Sequence, residues 1–218
     1  ELLSATSFSK LLAAHPENMD QYVDLYVDLL KKIHSAELRE GELPDQRLTG
    51  IEWIKDIKGQ LPDETYEKIL SMVEAIPEDH HMIHGDYHTK NVMLQNGETL
   101  LIDMDTICEG HPIYEFAAMY MAYKGFDEGT PENTLKFLGY PHETGMEFWR
   151  KTVAKYFSND SEEFLRSIEA KAGIIGYSRL LRRTLKRNTE DPESWDDRIE
   201  RCKKHLLEFT AQVDSLVF

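Results

Sequence analysis

Apolar residues recur at three- and four-residue spacing along the early chain, as Met19, Tyr22, Val23, Tyr26, Leu30 and Ile33. That period gathers them on one face of an amphipathic helix. Pro16 suits its first turn, where a missing N–H leaves nothing unpaired. The same reading predicts helices over residues 46–57, ended by Gly59, and over about 62–75, stopped before Pro77. Helical period returns over residues 112–124, 131–138, 143–157, 161–186 and 192–217. "SEEF" at 161–164 and "PESW" at 192–195 read as helix starts, with acids where the helix dipole favours them. The Met- and aromatic-rich run 116–123 reads as a core helix rather than a cofactor-binding stripe.

Between Met82 and Asp103 the pattern changes. Val92-Met93-Leu94 and Thr99-Leu100-Leu101-Ile102 are short apolar runs separated by Gln95-Asn96-Gly97-Glu98. Asn-Gly between such runs predicts a tight β-hairpin, because both residues tolerate the positive φ that the turn requires. The expected fold class is therefore mainly α with a small β-hairpin, an α+β unit without internal repeats.

With 218 residues, 41% of them hydrophobic, the chain can bury one sizeable core. Its apolar runs fall well short of the roughly 20 residues that span a bilayer. Residues 1–10 lack the basic start and apolar middle of a secretory signal. Two cysteines, Cys108 and Cys202, are too few for a disulfide framework and suit a reducing compartment, so a cytoplasmic location is expected. The net charge of −15 disfavours nucleic acid or an anionic membrane as partner, since both reward neutralisation of phosphate by Lys and Arg. The acid-rich stretches "FDEGTPEN" (126–133) and "SNDSEEF" (158–164) suggest instead a cleft for a cationic ligand. Arg179, Arg182, Arg183, Lys186 and Arg187 form a basic stripe on one helix, expected to be a solvated face paired with acids.

The chemistry concentrates in "IHGDYHTKNVML", residues 83–94. An aspartate in a loop held by strands, here Asp86, can orient a substrate hydroxyl and take its proton. Mg²⁺ is commonly held by one or two protein oxygens together with substrate phosphates, and Asn91 and Asp103 supply such oxygens. Antiparallel pairing in the hairpin brings Asn91, which begins its first strand, to the same end as Asp103, which ends its second. A competing reading takes His84, Asp86 and His88, at alternate positions, as the ligands of a metal-dependent hydrolase. Gly85 disfavours the regular strand that this reading needs, and it leaves Asn91 and Asp103 without a role. His80 and His81 are expected to be solvated or capping residues, His84 a loop support, and His88 either a support or a substrate contact. Asp105 is a second candidate carboxylate for the metal.

"HGDYHTKN" followed by "LLIDMD" resembles the catalytic-loop and metal-loop pair of aminoglycoside phosphotransferases and choline kinases, relatives of protein kinases that share the Asp-x-x-x-x-Asn spacing. "GHPIYEFA", 110–117, resembles the segment that follows in that family, with Glu115 where an Asp is usual. The resemblance implies a kinase-like C-terminal lobe in which Asp86 is the catalytic base and Asn91 and Asp103 bind the Mg²⁺ of ATP. The implied reaction carries the γ-phosphate to a hydroxyl of an aminoglycoside-, choline- or sugar-like acceptor.

A kinase-like enzyme also needs a glycine-rich turn over the phosphates and a strand lysine. The twelve glycines contain no G-x-G, and no β-rich segment is legible before the first helix. The expectation is accordingly a single C-terminal lobe over residues 1–218. It would begin at a hinge-like Glu1–Leu3, carry its catalytic loop, hairpin and metal loop at 83–105, and build its substrate side from 112–218. The N-terminal nucleotide lobe would be missing from this stretch of chain, most simply by removal, and the stretch alone is expected to be nearly inactive. A non-catalytic kinase-like binding module is the remaining alternative.

Overall fold

The computed structural model describes residues 5–39, 41–130, 132–186 and 194–218. The hinge-like start at 1–3, Pro131, Arg187 and the beginning of "PESW" lie outside the described residues.

A short strand β1 (Thr6–Ser7) leads into α1 (Phe8–Ala14), whose first turn Ser7 caps by accepting from the Lys10 amide. Pro16–Asn18 form a single 3₁₀ turn, and α2 (Met19–His34) follows. The first predicted helix, from Pro16, is this 3₁₀ turn followed by α2, which carries the apolar face read from the sequence; α1 was not predicted. Helix α3 (Gln46–Asp56) is capped by Asp45, which accepts from the amides of Arg47 and Leu48. Helix α4 (Asp63–Glu74) follows with acids in its first turn.

The predicted hairpin is present as β3 (Val92–Gln95) and β4 (Glu98–Leu101), in the register Val92↔Leu101 to Gln95↔Glu98. Asn96 (φ 52°) and Gly97 (φ 83°) make its turn. Two pairings escaped the sequence reading. Strand β1 adds antiparallel to β3, and β2 (Met82–Ile83) pairs with β5 (Cys108–Glu109), clamping the two ends of the central loop region together.

Helix α5 (Ile113–Tyr120) is buried nearly all round, as a helix apolar on every face must be. The predicted single helix over 112–124 breaks here. After Tyr120 the chain makes a π-helical turn, Met121–Gly125, before α6 (Phe126–Gly129) and α7 (Asn133–Leu138). Helices α8 (His142–Phe157) and α9 (Glu162–Lys186) closely match the predicted bounds. Helix α10 (Trp195–Thr210) stops well before residue 217, and the tail folds back so that Phe218 packs on Phe116, Phe157 and His111.

Helix α9 packs along α10 and α5, and α2 along α8, around a core rich in buried aromatics such as Trp149, Tyr120, Phe116 and Phe148. Close approach is permitted by small residues. A Cβ on Gly176 would meet Met121 Cγ at 2.6 Å. No described helix is long and apolar enough to cross a membrane.

Candidate active site

The loop from His84 to Asn91 joins β2 to β3 and is pinned from two sides. On one side stands Glu115 in the first turn of α5, fully buried. Its Oε2 accepts from the His84 amide (2.6 Å), and its Oε1 accepts from the amides of Gly85 (3.0 Å) and Tyr87 (3.3 Å). A buried carboxylate needs such donors, and a loop of irregular backbone needs such an acceptor. The substitution of Glu for the usual Asp therefore leaves a structural hydrogen bond intact; the longer side chain serves three amides.

On the other side is a cluster of hydroxyls. Tyr26 of α2 donates to the Tyr87 carbonyl (3.1 Å) while Tyr87 donates to the Tyr26 carbonyl (2.7 Å). The Thr89 amide donates to the Tyr123 hydroxyl, and the Thr89 hydroxyl bonds Tyr140 and Ser9 at 2.7 and 2.8 Å. Burial pushes the hydroxyls of Tyr26, Tyr87 and Tyr140 well above the usual tyrosine range, so they stay protonated and neutral.

His84 supports the loop. Its Nδ1 accepts from the Asp86 amide (3.3 Å), which leaves the proton on Nε2 to be donated to the Ile102 carbonyl (3.1 Å). Thr106 donates to the His84 carbonyl (2.8 Å), a second tie to the segment after β4. Gly85 has φ +78°, and a Cβ there would lie 2.6 Å from the Thr106 carbonyl oxygen, so this position takes glycine for both reasons.

Asp86 projects from this scaffold with its side chain about half exposed, at 48%. Asn91 Nδ2 donates to the Asp86 carbonyl (3.0 Å) and to its Oδ2 (3.3 Å), and His88 Nε2 lies 3.5 Å from the same oxygen. Partial burial opposes ionisation of Asp86. The hydrogen bond and charge of His88, helped by His84 and Arg179, more than offset it, so the carboxyl titrates below the ordinary aspartate range. Asn91 is buried, and with its amide nitrogen committed to Asp86 its Oδ1 is left as an acceptor. The Ile102 amide bonds the Asn91 carbonyl (3.0 Å), extending the hairpin ladder by one step, so Asp103 follows at the same end. Asp103 is exposed and takes a left-handed backbone (φ 61°, ψ 63°) at the start of a 3₁₀ turn, a conformation that aspartate tolerates better than most residues. One carboxamide oxygen and one carboxylate are hard donors, the set that suits Mg²⁺ with phosphate oxygens completing the shell.

The hydrolase reading finds no cage. Both ring nitrogens of His84 are engaged within the loop, and among the described residues no three His, Cys, Asp or Glu side chains converge as a metal-holding group. His81 bonds Asp79 (2.6 Å) and His80 lies 3.4 Å from Glu109, both supports.

Asp86, His88 and Asp105 open onto a cleft of about 390 Å³. Its walls come from α3 (Gln46, Trp53), α5 and the π-helical turn (Tyr114, Ala117, Met121), the exposed Phe137, and one face of α9 (Gly176, Arg179, Leu180, Arg183). An adjoining recess of about 380 Å³ shares Phe126, Phe137, Leu180 and Arg183 and adds Arg198 and Arg201. Three acids of the expected cationic cleft have partners outside it. Asp127 accepts from the Thr134 amide and lies 3.3 Å from His142, Glu128 bonds Tyr177 and His205, and Glu162 bonds Arg150. The basic stripe also divides: Arg182 and Lys186 both reach Asp56, whereas Arg179 and Arg183 face the cleft.

A sequence model described as "Phosphotransferase enzyme family" matches residues 1–150. None of the curated proteins matches the sequence. Among solved structures, an aminoglycoside phosphotransferase APH(4)-Ia in ternary complex with ADP and hygromycin B is similar over 95% of this chain and 70% of its own, at 15% identity and a TM-score of 0.59. A choline/ethanolamine kinase family protein from Mesorhizobium loti is similar over 97% and 71%, at 12% identity and a TM-score of 0.54. An ethanolamine kinase from Plasmodium vivax covers 98% of this chain and 65% of its own, at 14% identity and a TM-score of 0.53. At these identities the likeness is one of fold.

Proposed function

The chain belongs to the phosphotransferase enzyme family, and on that premise we propose that it is the catalytic lobe of an ATP-dependent small-molecule kinase, which moves the γ-phosphate to a hydroxyl of an aminoglycoside-, choline- or sugar-like acceptor. What supports this reading is the Asn91–Asp86 hydrogen bond, the backbone pairing of Ile102 with Asn91 that puts Asp103 next along the chain at that end of the hairpin, and the half exposure of Asp86 at a cleft large enough for a small molecule. The nucleotide complexes of the similar structures support a nucleotide as donor.

Asp86 stays ionised and therefore accepts a hydrogen bond from the acceptor hydroxyl, orients its oxygen for attack and receives its proton. Asn91 and His88 fix the carboxylate, and Glu115 with the tyrosine cluster fixes the loop beneath it, so the geometry is set before substrate arrives. Asn91 Oδ1 and the Asp103 carboxylate are the groups that would hold Mg²⁺, which would supply neutralisation of charge on the transferring phosphate.

The functional test is an ATP-consumption assay on the longest natural chain, against hydroxyl-bearing small molecules, with and without Mg²⁺. Acceptor-dependent ADP formation that requires Mg²⁺ supports the reading. Activity that depends on tightly bound zinc and needs no nucleotide overturns it.

A further inference from the structure

The charges around the cleft are not those of the chain as a whole. The protein carries a net −15, yet the α9 wall of the cleft presents Arg179 and Arg183. Facing them among the lining residues are two acids, Asp86 and Asp105, of which Asp86 is assigned to the acceptor hydroxyl.

Arg179 and Arg183 sit one helical turn apart on the same face of α9, so their side chains are neighbours. Neither lies within 4.0 Å of a described carboxylate, in contrast to Arg182 and Lys186 on the outer face, which reach Asp56 at 2.6 and 2.5 Å. Arg179 is instead laid over the Trp53 ring, its guanidinium carbon 5.2 Å from the ring centroid. A cation over an aromatic ring keeps its N–H donors for other partners, and the guanidinium fork is the arrangement that recognises carboxylate and phosphate. Arg179, Arg183 and Asp86 line the same cleft of about 390 Å³, so a molecule spanning them is small.

We infer that the acceptor is a small hydroxylated anion, whose carboxylate or phosphate seats on Arg179 and Arg183 while its hydroxyl meets Asp86. The inference rests on the phosphotransferase reading of the same site and, of the acceptors that reading allows, keeps only a sugar-like one bearing an anionic group and sets aside the cationic aminoglycosides and choline. An amine in that seat would face two like charges at close range, which discriminates strongly against it. The remaining walls, Met121, Ala117 and Leu180, suit a short carbon skeleton. In the reaction the bond from the γ-phosphorus to its bridging oxygen breaks and leaves ADP. A bond from the acceptor oxygen to that phosphorus forms, and the hydroxyl proton passes to Asp86 and then to solvent.

The test compares, on the full natural chain, glycerate and gluconate (carboxylates), glycerol 3-phosphate and ribose 5-phosphate (phosphates), glycerol and ribose (neutral), and choline and kanamycin (cationic). ADP release is measured with ATP-Mg, and thermal stabilisation by each compound is measured without nucleotide. The expected result is a kcat/KM at least about tenfold higher for one anionic group than for its neutral and cationic counterparts. Arg179→Gln and Arg183→Gln should each raise KM for that acceptor by about tenfold or more while the KM for ATP stays within about twofold. The carboxylate and phosphate arms separate the two anion types. Preference for choline, kanamycin or the neutral compounds overturns the inference and leaves the phosphotransferase reading standing, as does an effect of the arginine variants confined to KM for ATP. No transfer to any compound, with stabilisation by an anionic compound that Arg179→Gln abolishes, keeps the anion seat and removes the phosphotransferase reading. Neither transfer nor stabilisation with any anionic compound overturns the inference.

Discussion

Replacing Glu115 by Gln is an isosteric change at the buried point where α5 holds the loop from His84 to Asn91. It creates no cavity, so the response isolates hydrogen bonding. The native carboxylate accepts from three amides, one on Oε2 and two on Oε1. A Gln keeps one acceptor oxygen. Its least costly placement retains the amides of Gly85 and Tyr87 and turns the NH₂ against the His84 amide, where donor meets donor. One charge-assisted bond is lost, worth about 1.5–3 kcal/mol, and the other two weaken from charged to neutral, for a total of about 2–4 kcal/mol. Against a typical total of about 5–15 kcal/mol this is a large loss. Equilibrium urea unfolding followed by circular dichroism reads it as a lower midpoint at unchanged slope. A loss below about 1 kcal/mol would refute the idea that these three bonds anchor the loop. The same variant should also lower kcat, because the loop that aims Asp86 is no longer fixed.

Other outcomes follow from the same geometry. Asp86→Asn should lower turnover by about 10²-fold or more while ATP-Mg binding, measured by calorimetry, is kept. Because the Asp86 pKa is lowered, its ionised form persists as pH falls and is lost only on passing through that lowered value. The acid limb of kcat/KM due to Asp86 should therefore lie below about pH 4, which a pH–rate profile checks. Gly85→Ala combines a left-handed backbone with a clash on the Thr106 carbonyl, and should destabilise by about 2–4 kcal/mol in urea unfolding. Burial pushes the Cys108 thiol up to about 12, so at pH 8 it should react with a thiol reagent at least about tenfold more slowly than a free thiol, as absorbance after reagent mixing will show.

Much of this fold was legible in the chain because its signals are periodic or local. The helices over α3, α4, α8 and α9 follow from three- and four-residue apolar spacing, and the hairpin follows from Asn96-Gly97. The two-residue strands β1, β2 and β5 have too few residues to show a period, and their partners are far away in sequence. The π-helical turn after Tyr120 was hidden because an apolar run buried on all sides reads the same with or without an inserted residue.

The candidate site divides in the same way. Asp86, Asn91 and Asp103 stand out by spacing, and the hairpin explains how they meet. Glu115 drew notice only as a departure from the usual Asp; its three bonds depend on how α5 docks beneath the loop. Tyr26, Tyr123 and Tyr140 reach Tyr87 and Thr89 from separate elements, so no local pattern could announce them. The arginines were visible as a stripe, but which of them turn inward depends on where α9 meets α3: Asp56 takes Arg182 and Lys186, and Trp53 takes Arg179.

The most direct test of the central claim is phosphorus NMR of a reaction containing the full natural chain, ATP, Mg²⁺ and an acceptor, run beside the Asp86→Asn variant. The account predicts that the γ-phosphate signal gives way to a phosphate monoester at a rate at least about 10²-fold higher in the wild type than in the variant. Equal rates in the two proteins, or release of only inorganic phosphate at equal rates, would contradict it.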